Sequence, residues 1–202
     1  GAVENRELEP FFQTQVDAHT NAIIGMAALA RWRKPSGEIV GPGAFMPAAG
    51  ENDLVRLIDG IIFDKCAEFL TKANSLGAVV PALSINLSEE HLRDDGLVER
   101  LHALRRSSDT LIAMELLETT ALDDPSDHLM WTIDKIRDLG FGIEIDDFGT
   151  GKTSITSLTT LRPTKLKIAR ELVLPIEQPE SRKLLSCVLE IAKTLDINVL
   201  AE

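Results

Sequence analysis

The chain is poor in cysteine: Cys66 and Cys187 are the only two in 202 residues. They stand far apart, outside any CxxC or Cys/His cluster, which argues against a thiolate metal site. Two free, buried thiols in a reducing compartment is the expectation. Histidine is equally sparse: His19, His91, His102 and His128 are scattered without metal-ligand spacing and read as surface or structural groups. No apolar run approaches the roughly 18 residues that span a bilayer, so no membrane segment is expected. The start lacks the basic flank and apolar stretch of a secretory leader. Positive charge is in deficit as well. The net charge of −11 argues against DNA and against any general nucleic-acid surface. An acidic pocket holds a phosphate well only where metal ions bridge the two, or where a few basic groups are placed locally. No Gly-rich phosphate loop of standard spacing is present. These absences point to a cytoplasmic protein, or to the cytoplasmic part of a larger one. Gly1-Ala2 without an initiator Met suggests that residues 1–10 are a linker or cloning remnant and that the domain proper runs from 11 to 202.

What the sequence has is a sizeable apolar fraction, 44%, and an almost continuous alternation of strand-like and helix-like segments. Phe11 to Asp17 and Ala22 to Arg31 read as strands joined by a turn at His19-Thr20-Asn21. Leu54 to Ala73 carries a helical stripe of Leu54, Leu57, Ile58, Ile61, Ile62, Cys66, Phe69 and Leu70. Val79 to Leu87 reads as a strand, and Ser88-Glu89-Glu90 as a capped helix start. Leu111 to Leu117, Ile143 to Asp146, Lys165 to Ala169 and Ile197 to Glu202 read as further strands. Pro125 to Leu139, Ser154 to Leu161 and Arg182 to Leu195 read as helices between them. Apolar strands alternating with helices imply a parallel sheet covered by helices. Asn86, Glu115, Asp146-Asp147, Lys167 and Glu202 each fall toward the C-terminal end of a different strand. A barrel gathers those ends on one face, whereas an open sheet uses a single switch point between few strands. The expected fold is therefore α/β, a TIM-like (β/α) barrel, with the last strand–helix unit missing from the chain.

The segment Gly142-Ile143-Glu144-Ile145-Asp146-Asp147-Phe148-Gly149-Thr150-Gly151 is the most informative. It ends a β-branched run in two adjacent carboxylates. Asp-Asp alone is ordinary turn chemistry, yet two like charges side by side repel and desolvate badly unless a cation sits with them. Glu115, Asp146, Asp147 and Glu202 are hard oxygen donors, and Asn86 adds a neutral carbonyl. Such a set suits Mg²⁺ or Mn²⁺, sometimes Ca²⁺. Adjacent carboxylates can reach toward two ions, the arrangement used in phosphodiester hydrolysis. Lys167, between Leu166 and Ile168, is placed to orient a water or to neutralise charge developing on a phosphate.

Gly25-Met26-Ala27-Ala28-Leu29-Ala30-Arg31-Trp32 resembles the opening signature of the EAL-domain family of cyclic di-GMP phosphodiesterases. Phe45-Met46-Pro47-Ala48-Ala49, Ser84-Ile85-Asn86-Leu87-Ser88, Glu115-Leu116-Leu117-Glu118-Thr119, Ile145-Asp146-Asp147-Phe148-Gly149-Thr150-Gly151, Leu166-Lys167-Ile168 and Leu200-Ala201-Glu202 follow in the family's order and spacing. The resemblance implies an EAL-type barrel domain over 11–202 that cleaves cyclic di-GMP to linear pGpG with Mg²⁺ or Mn²⁺. By motif position, Asn86, Glu115 and Asp146 hold one metal and Asp147 serves the second. Lys167 and Glu202 manage the attacking water as catalytic residues, Arg31 contacts a ligand phosphate, and Glu118 steadies the loop from Phe148 to Thr153. The family often works as a homodimer beside sensory or cyclase-like domains, so both are expected of the parent protein.

Two departures bear on activity. The family's first signature Glu is Ala27 here, and a methyl group cannot ligate a cation. The usual Asp after Lys-Ile is Ala169. Alanine at both positions fits a designed inactive variant and natural degeneration equally. The leading expectation is an EAL-type signalling domain that binds cyclic di-GMP with hydrolysis lost or impaired by Ala27. The alternatives are an active Mg/Mn-dependent phosphodiesterase and a scaffold that binds no nucleotide.

Overall fold

A computed structural model of the chain describes residues 2, 3, 5, 7–118, 126–150 and 154–201. They fall into two compact units, Gly1–Ala113 and Met114–Glu202. The first unit contains β1 (Leu8–Val16), β2 (Ile23–Arg33), β3 (Ile39–Val40), α1 (Pro42–Glu51), α2 (Val55–Ser75), β4 (Ala82–Asn86), α3 (Glu89–Leu92) and α4 (Leu97–Ser107). β5 (Leu111–Leu117) begins at its end and continues into the second unit. There follow α5 (Asp127–Asp138), β6 (Gly142–Phe148), α6 (Ile155–Leu161), β7 (Lys165–Ile168), α7 (Arg170–Val173), α8 (Pro179–Thr194) and β8 (Asn198–Ala201).

In the first unit β1 and β2 form an antiparallel hairpin running from Leu8 opposite Trp32 to Val16 opposite Ile23. The expected turn is there. Asp17 Oδ1 accepts the backbone N–H groups of His19 (3.0 Å) and Thr20 (2.8 Å), and Asn21 takes the left-handed backbone, φ 57°, that Asn tolerates. β2 then pairs in parallel with β4, Ala27 opposite Ser84. A parallel pair needs a long crossover, and α1 and α2 supply it. The α2 stripe buries Ile58, Ile62, Phe63, Cys66, Leu70 and Ala73, and Phe12 stacks on Phe69 at 4.3 Å. Leu57, expected in that stripe, is largely exposed. The strand expected from Val79 is shorter, starting at Ala82, because Pro81 has no N–H to give a ladder; Val79 is solvent-exposed. Ser88 caps α3, its Oγ accepting from His91 N at 3.2 Å.

In the second unit the strands stand in the order β5-β6-β7-β8, and β6–β7 and β7–β8 are parallel. Ser126 caps α5 through Leu129 N (3.3 Å). Gly140 follows that helix with φ +79°, the left-handed residue that commonly ends a helix. Both faces of β6 and β7 are buried apart from the first residue of each strand and the C-terminal end of β6, as strands between layers of helix require. Eight strands are described rather than the seven expected, the extra one being the two-residue β3. Cys66 is buried as expected, but Cys187 is exposed, since it sits on the outer face of α8. Among the described residues no helix is long and apolar enough to cross a membrane.

Candidate active site

β6 and β7 decide the geometry. Ile145 pairs with Leu166 and Phe148 with Ile168, so β6 carries one residue more than β7 across Asp146-Asp147. Such a bulge bends a strand and re-aims its side chains. Asp147 takes up the irregularity with a left-handed backbone, φ 54°, an uncommon state for a residue with a side chain. The bulge lets Asp146 stay on the face shared with Lys167 while Asp147 turns to the exposed side. Gly149 follows at φ +104°, and a Cβ there would run into the Leu172 side chain. Glycine suits this turn for its backbone first; a Cβ would also force the Leu172 side chain to move.

Three of the residues picked from sequence meet within the second unit. Lys167 Nζ lies 3.1 Å from Glu115 Oε1 and 3.1 Å from Asp146 Oδ1. Glu115 is 1% exposed and Lys167 3%. Toward Asp146 the lysine donates a hydrogen bond; toward Glu115 it forms an ion pair without hydrogen-bond alignment, and Glu115 Oε2 has no hydrogen-bond partner among the described residues. Burial pushes the Glu115 carboxyl up to about 7; the neighbouring Lys167 opposes that rise, while Asp146 and Glu144 add to it. A cation beside Glu115 favours its charged form.

Glu118, at the end of β5, takes both bonds Thr150 can give: Oε2 accepts from Thr150 N at 2.8 Å and from Thr150 Oγ1 at 2.7 Å. Its own N–H donates to Asp146 O at 3.1 Å. Asn86 and Arg31 belong to the first unit. Asn86, at the end of β4, donates from Nδ2 to Ala28 O at 3.4 Å. Arg31, in β2, donates from Nη1 to Ala30 O at 2.8 Å. Ala27 is buried in β2 at 5% exposure. Glu202 lies outside the described residues, as do Gly151, Lys152 and Thr153 of the loop.

The donors suit a hard divalent cation: carboxylates on adjacent strands, one of them buried with an oxygen that no hydrogen bond satisfies. Among the described residues no group of three or more His, Cys, Asp or Glu converges as a cage. Here the Lys167 ammonium stands between the two carboxylates, supplying the positive charge they need. Two concave surfaces of about 340 and 410 Å³ occur in the first unit, the second lined by Leu8, Trp32, Phe45, Leu54 and Leu57 among others. Neither includes a candidate site residue, and the second is mainly apolar, so the chemistry is argued from the β5–β7 cluster.

Sequence reading passed over Glu144 and Lys165. Lys165 Nζ lies 2.7 Å from Glu144 Oε1, with the carboxylate almost fully buried. The signal was available: period-two alternation puts Glu144 with Asp146 and Lys165 with Lys167.

A model of the EAL domain matches residues 1–202 of the chain. The chain is 29% identical over 208 residues to the probable cyclic di-GMP phosphodiesterase PdeG of Escherichia coli K12, covering 100% of itself and 40% of that protein. It is 30% identical over 205 residues to the bifunctional diguanylate cyclase/cyclic di-GMP phosphodiesterase MucR of Pseudomonas aeruginosa PAO1, covering 100% of itself and 30% of that protein. It thus spans less than half the length of either relative. Among solved structures, the EAL enzyme Bd1971 bound to cAMP and cyclic di-GMP superposes with a TM-score of 0.86 at 28% identity, over 99% of this chain and 56% of that one. The PaMucR phosphodiesterase in complex with cyclic di-GMP gives 0.84 at 27% identity, over 99% and 82% respectively. The α/β, TIM-like fold class expected from the strand–helix alternation is the fold class of these structures.

Proposed function

From the premise that the chain belongs to the EAL-domain family, we propose that it is a cyclic di-GMP binding domain whose hydrolysis to pGpG is lost or impaired. The observation that carries the reading is the Lys167 ammonium, 3.1 Å from both Glu115 and Asp146 in a buried setting. A lysine so held is a fixed positive charge at strand ends, suited to a phosphodiester. The Phe148–Thr150 turn is tied to Glu118, which fits a role for Glu118 in steadying that loop. In this reading Arg31 contacts a phosphate, Asn86, Glu115 and Asp146 hold Mg²⁺ or Mn²⁺, and Asp147 serves a second ion. When bound, the cation supplies charge neutralisation at the phosphate and a more acidic water. Lys167, as an ammonium, would orient the attacking water and neutralise charge developing on the phosphate, and Glu202 would take up the water's proton. Ala27 carries only a methyl where the family signature has a carboxylate, so the site is short of one donor. Loss even of an outer partner costs ~10–100-fold in affinity or activity.

Residual hydrolysis is the second reading, favoured by one observation: Glu115, Asp146 and Lys167 remain together. The domain is further proposed to act in the cytoplasm, as a homodimer, inside a longer chain with sensory or cyclase-like partners. Isothermal titration with cyclic di-GMP, with and without Mg²⁺, tests binding. Heat at micromolar ligand with little pGpG supports the leading reading, abundant pGpG abolished by Glu115→Ala supports the second, and no heat in either condition leaves a non-binding scaffold.

A further inference from the structure

Two residues nearer the start of β6 and β7, on the same strand faces as Asp146 and Lys167, lies a second pair. Lys165 and Glu144 are direct register partners, and their side chains meet at 2.7 Å with only 18% and 4% of each exposed. Three carboxylates and two ammonium groups are therefore stacked in two layers on this side of the sheet. Burying charge is costly unless each charge is answered. The allocation of partners is the point of interest. Lys167 carries a flexible four-carbon stem with a compact, rotatable head. Glu144 lies diagonally across from it on the neighbouring strand. Without the Lys165 ammonium beside it, Glu144 would offer the Lys167 head a third carboxylate to turn to, away from Glu115 and Asp146.

The geometry points to Glu144 and Lys165 as a positioning pair that keeps the Lys167 ammonium on Glu115 and Asp146. Lys165 satisfies Glu144, and Lys167 is left committed to the upper layer. The consequence for nucleotide binding rests on the reading of that cluster as a cyclic di-GMP site; the consequence for Lys167 does not. A simple contribution to packing would make any truncation of the pair harmful, and the more harmful the more is removed. A positioning role predicts rescue instead: removing Glu144 as well as Lys165 takes away the competing partner.

The test compares crystal structures of wild type, Lys165→Met, Lys165→Arg and the double variant Glu144→Gln/Lys165→Met, with calorimetric titration of each by cyclic di-GMP and separately by Mn²⁺. In Lys165→Met the Lys167 head is expected within hydrogen-bond distance of Glu144, and nucleotide affinity is expected to fall ~10-fold, while Mn²⁺ binding does not weaken because the upper carboxylates have lost a competing cation. Lys165→Arg and the double variant keep Lys167 on Glu115 and Asp146 and recover most of the nucleotide affinity lost in Lys165→Met. The inference is overturned if Lys167 stays in place in Lys165→Met, or if the double variant is no better than the single one. Should Lys165→Met not fold, Lys165→Gln enters the same comparison. Absence of nucleotide heat in every protein, wild type included, sinks the cyclic di-GMP reading alone, and the position of Lys167 still decides this one.

Discussion

The two units bury polar groups in contrasting ways. At the α2–α3 junction of the first, Asp59 is 8% exposed and His91 fully enclosed. Asp59 Oδ2 accepts the backbone N–H of Ser88 at 2.8 Å, and the His91 ring stands edge-on to Phe63 at 6.4 Å. Burial pushes Asp59 up to about 6 and His91 down to about 4, so both lean toward the uncharged form. On the β5–β7 face of the second unit burial pushes Glu115 up as well, to about 7, but there Lys167 stands beside the acid and opposes the rise. The helix junction answers its buried acid with a backbone N–H, and the strand ends answer theirs with ammonium groups. Burial of an acid is thus no mark of a site by itself; what accompanies it is.

The largest expected break is Lys167→Met. Removing one member of a buried ion-pair network leaves uncompensated charge and costs about 3–5 kcal/mol. Glu115 and Asp146 are then left facing each other, and millimolar Mn²⁺ should recover part of the loss by binding the folded form. Urea melts with and without Mn²⁺ read both effects. An unchanged midpoint would mean the lysine is not holding the carboxylates.

Asp59→Asn probes the other region. The folded value of Asp59, about 6, exceeds its ordinary value of 3.8. Its contribution is therefore complete below pH ~4 and lost as pH rises through ~6, a swing of about 3 kcal/mol at 1.36 kcal/mol per unit. His91 works in the opposite sense: with a folded value of about 4 against 6.5, its stabilisation is present above pH ~6.5 and lost as pH falls toward ~4. The two oppose each other in the wild type. Asp59→Asn should gain on wild type steadily from pH 4 to 7, because the Asn carbonyl can still accept from Ser88. A pH-independent difference between the two proteins would contradict the assignment.

Ala27→Glu sharpens the account from the side of function. Returning the carboxylate should raise pGpG formation by about 10–100-fold, read by chromatography of the product. Least in size is Thr150→Val. The Thr150 N–H still reaches Glu118, so only the hydroxyl bond is lost, at about 1 kcal/mol, with a measurable rise in backbone exchange around Gly149.

Much of this was legible in the chain. Leu111 to Leu117 is the strand expected, and Ser88, Ser126 and Ser154 all cap helices, because side-chain capping is a local interaction. The family motifs picked out Glu115, Asp146 and Lys167, which do come together. α1 was not foreseen: Pro47 and two glycines sit inside it and only Ala49 of it is buried, so neither propensity nor an apolar stripe announces it. The bulge at Asp146-Asp147 was equally invisible, since it is set by the register against β7 and not by β6 alone. Period-two alternation placed Glu144 on the face of Asp146, but its pairing with Lys165 depends on the register between β6 and β7, which neither strand shows alone. Cys187 was placed inside on its residue type, and the helix face it occupies decided otherwise.

The central claim is that Glu115, Asp146 and Lys167 form the floor of a nucleotide site. A crystal structure of the protein with cyclic di-GMP and Mn²⁺ tests it most directly. The account predicts density for a nucleotide phosphate at the ends of β5, β6 and β7, with an ion on Glu115 and Asp146 and the Lys167 head drawn toward the phosphate. Nucleotide bound elsewhere, or carboxylates still closed on Lys167 with nothing beside them at saturating ligand, would contradict it.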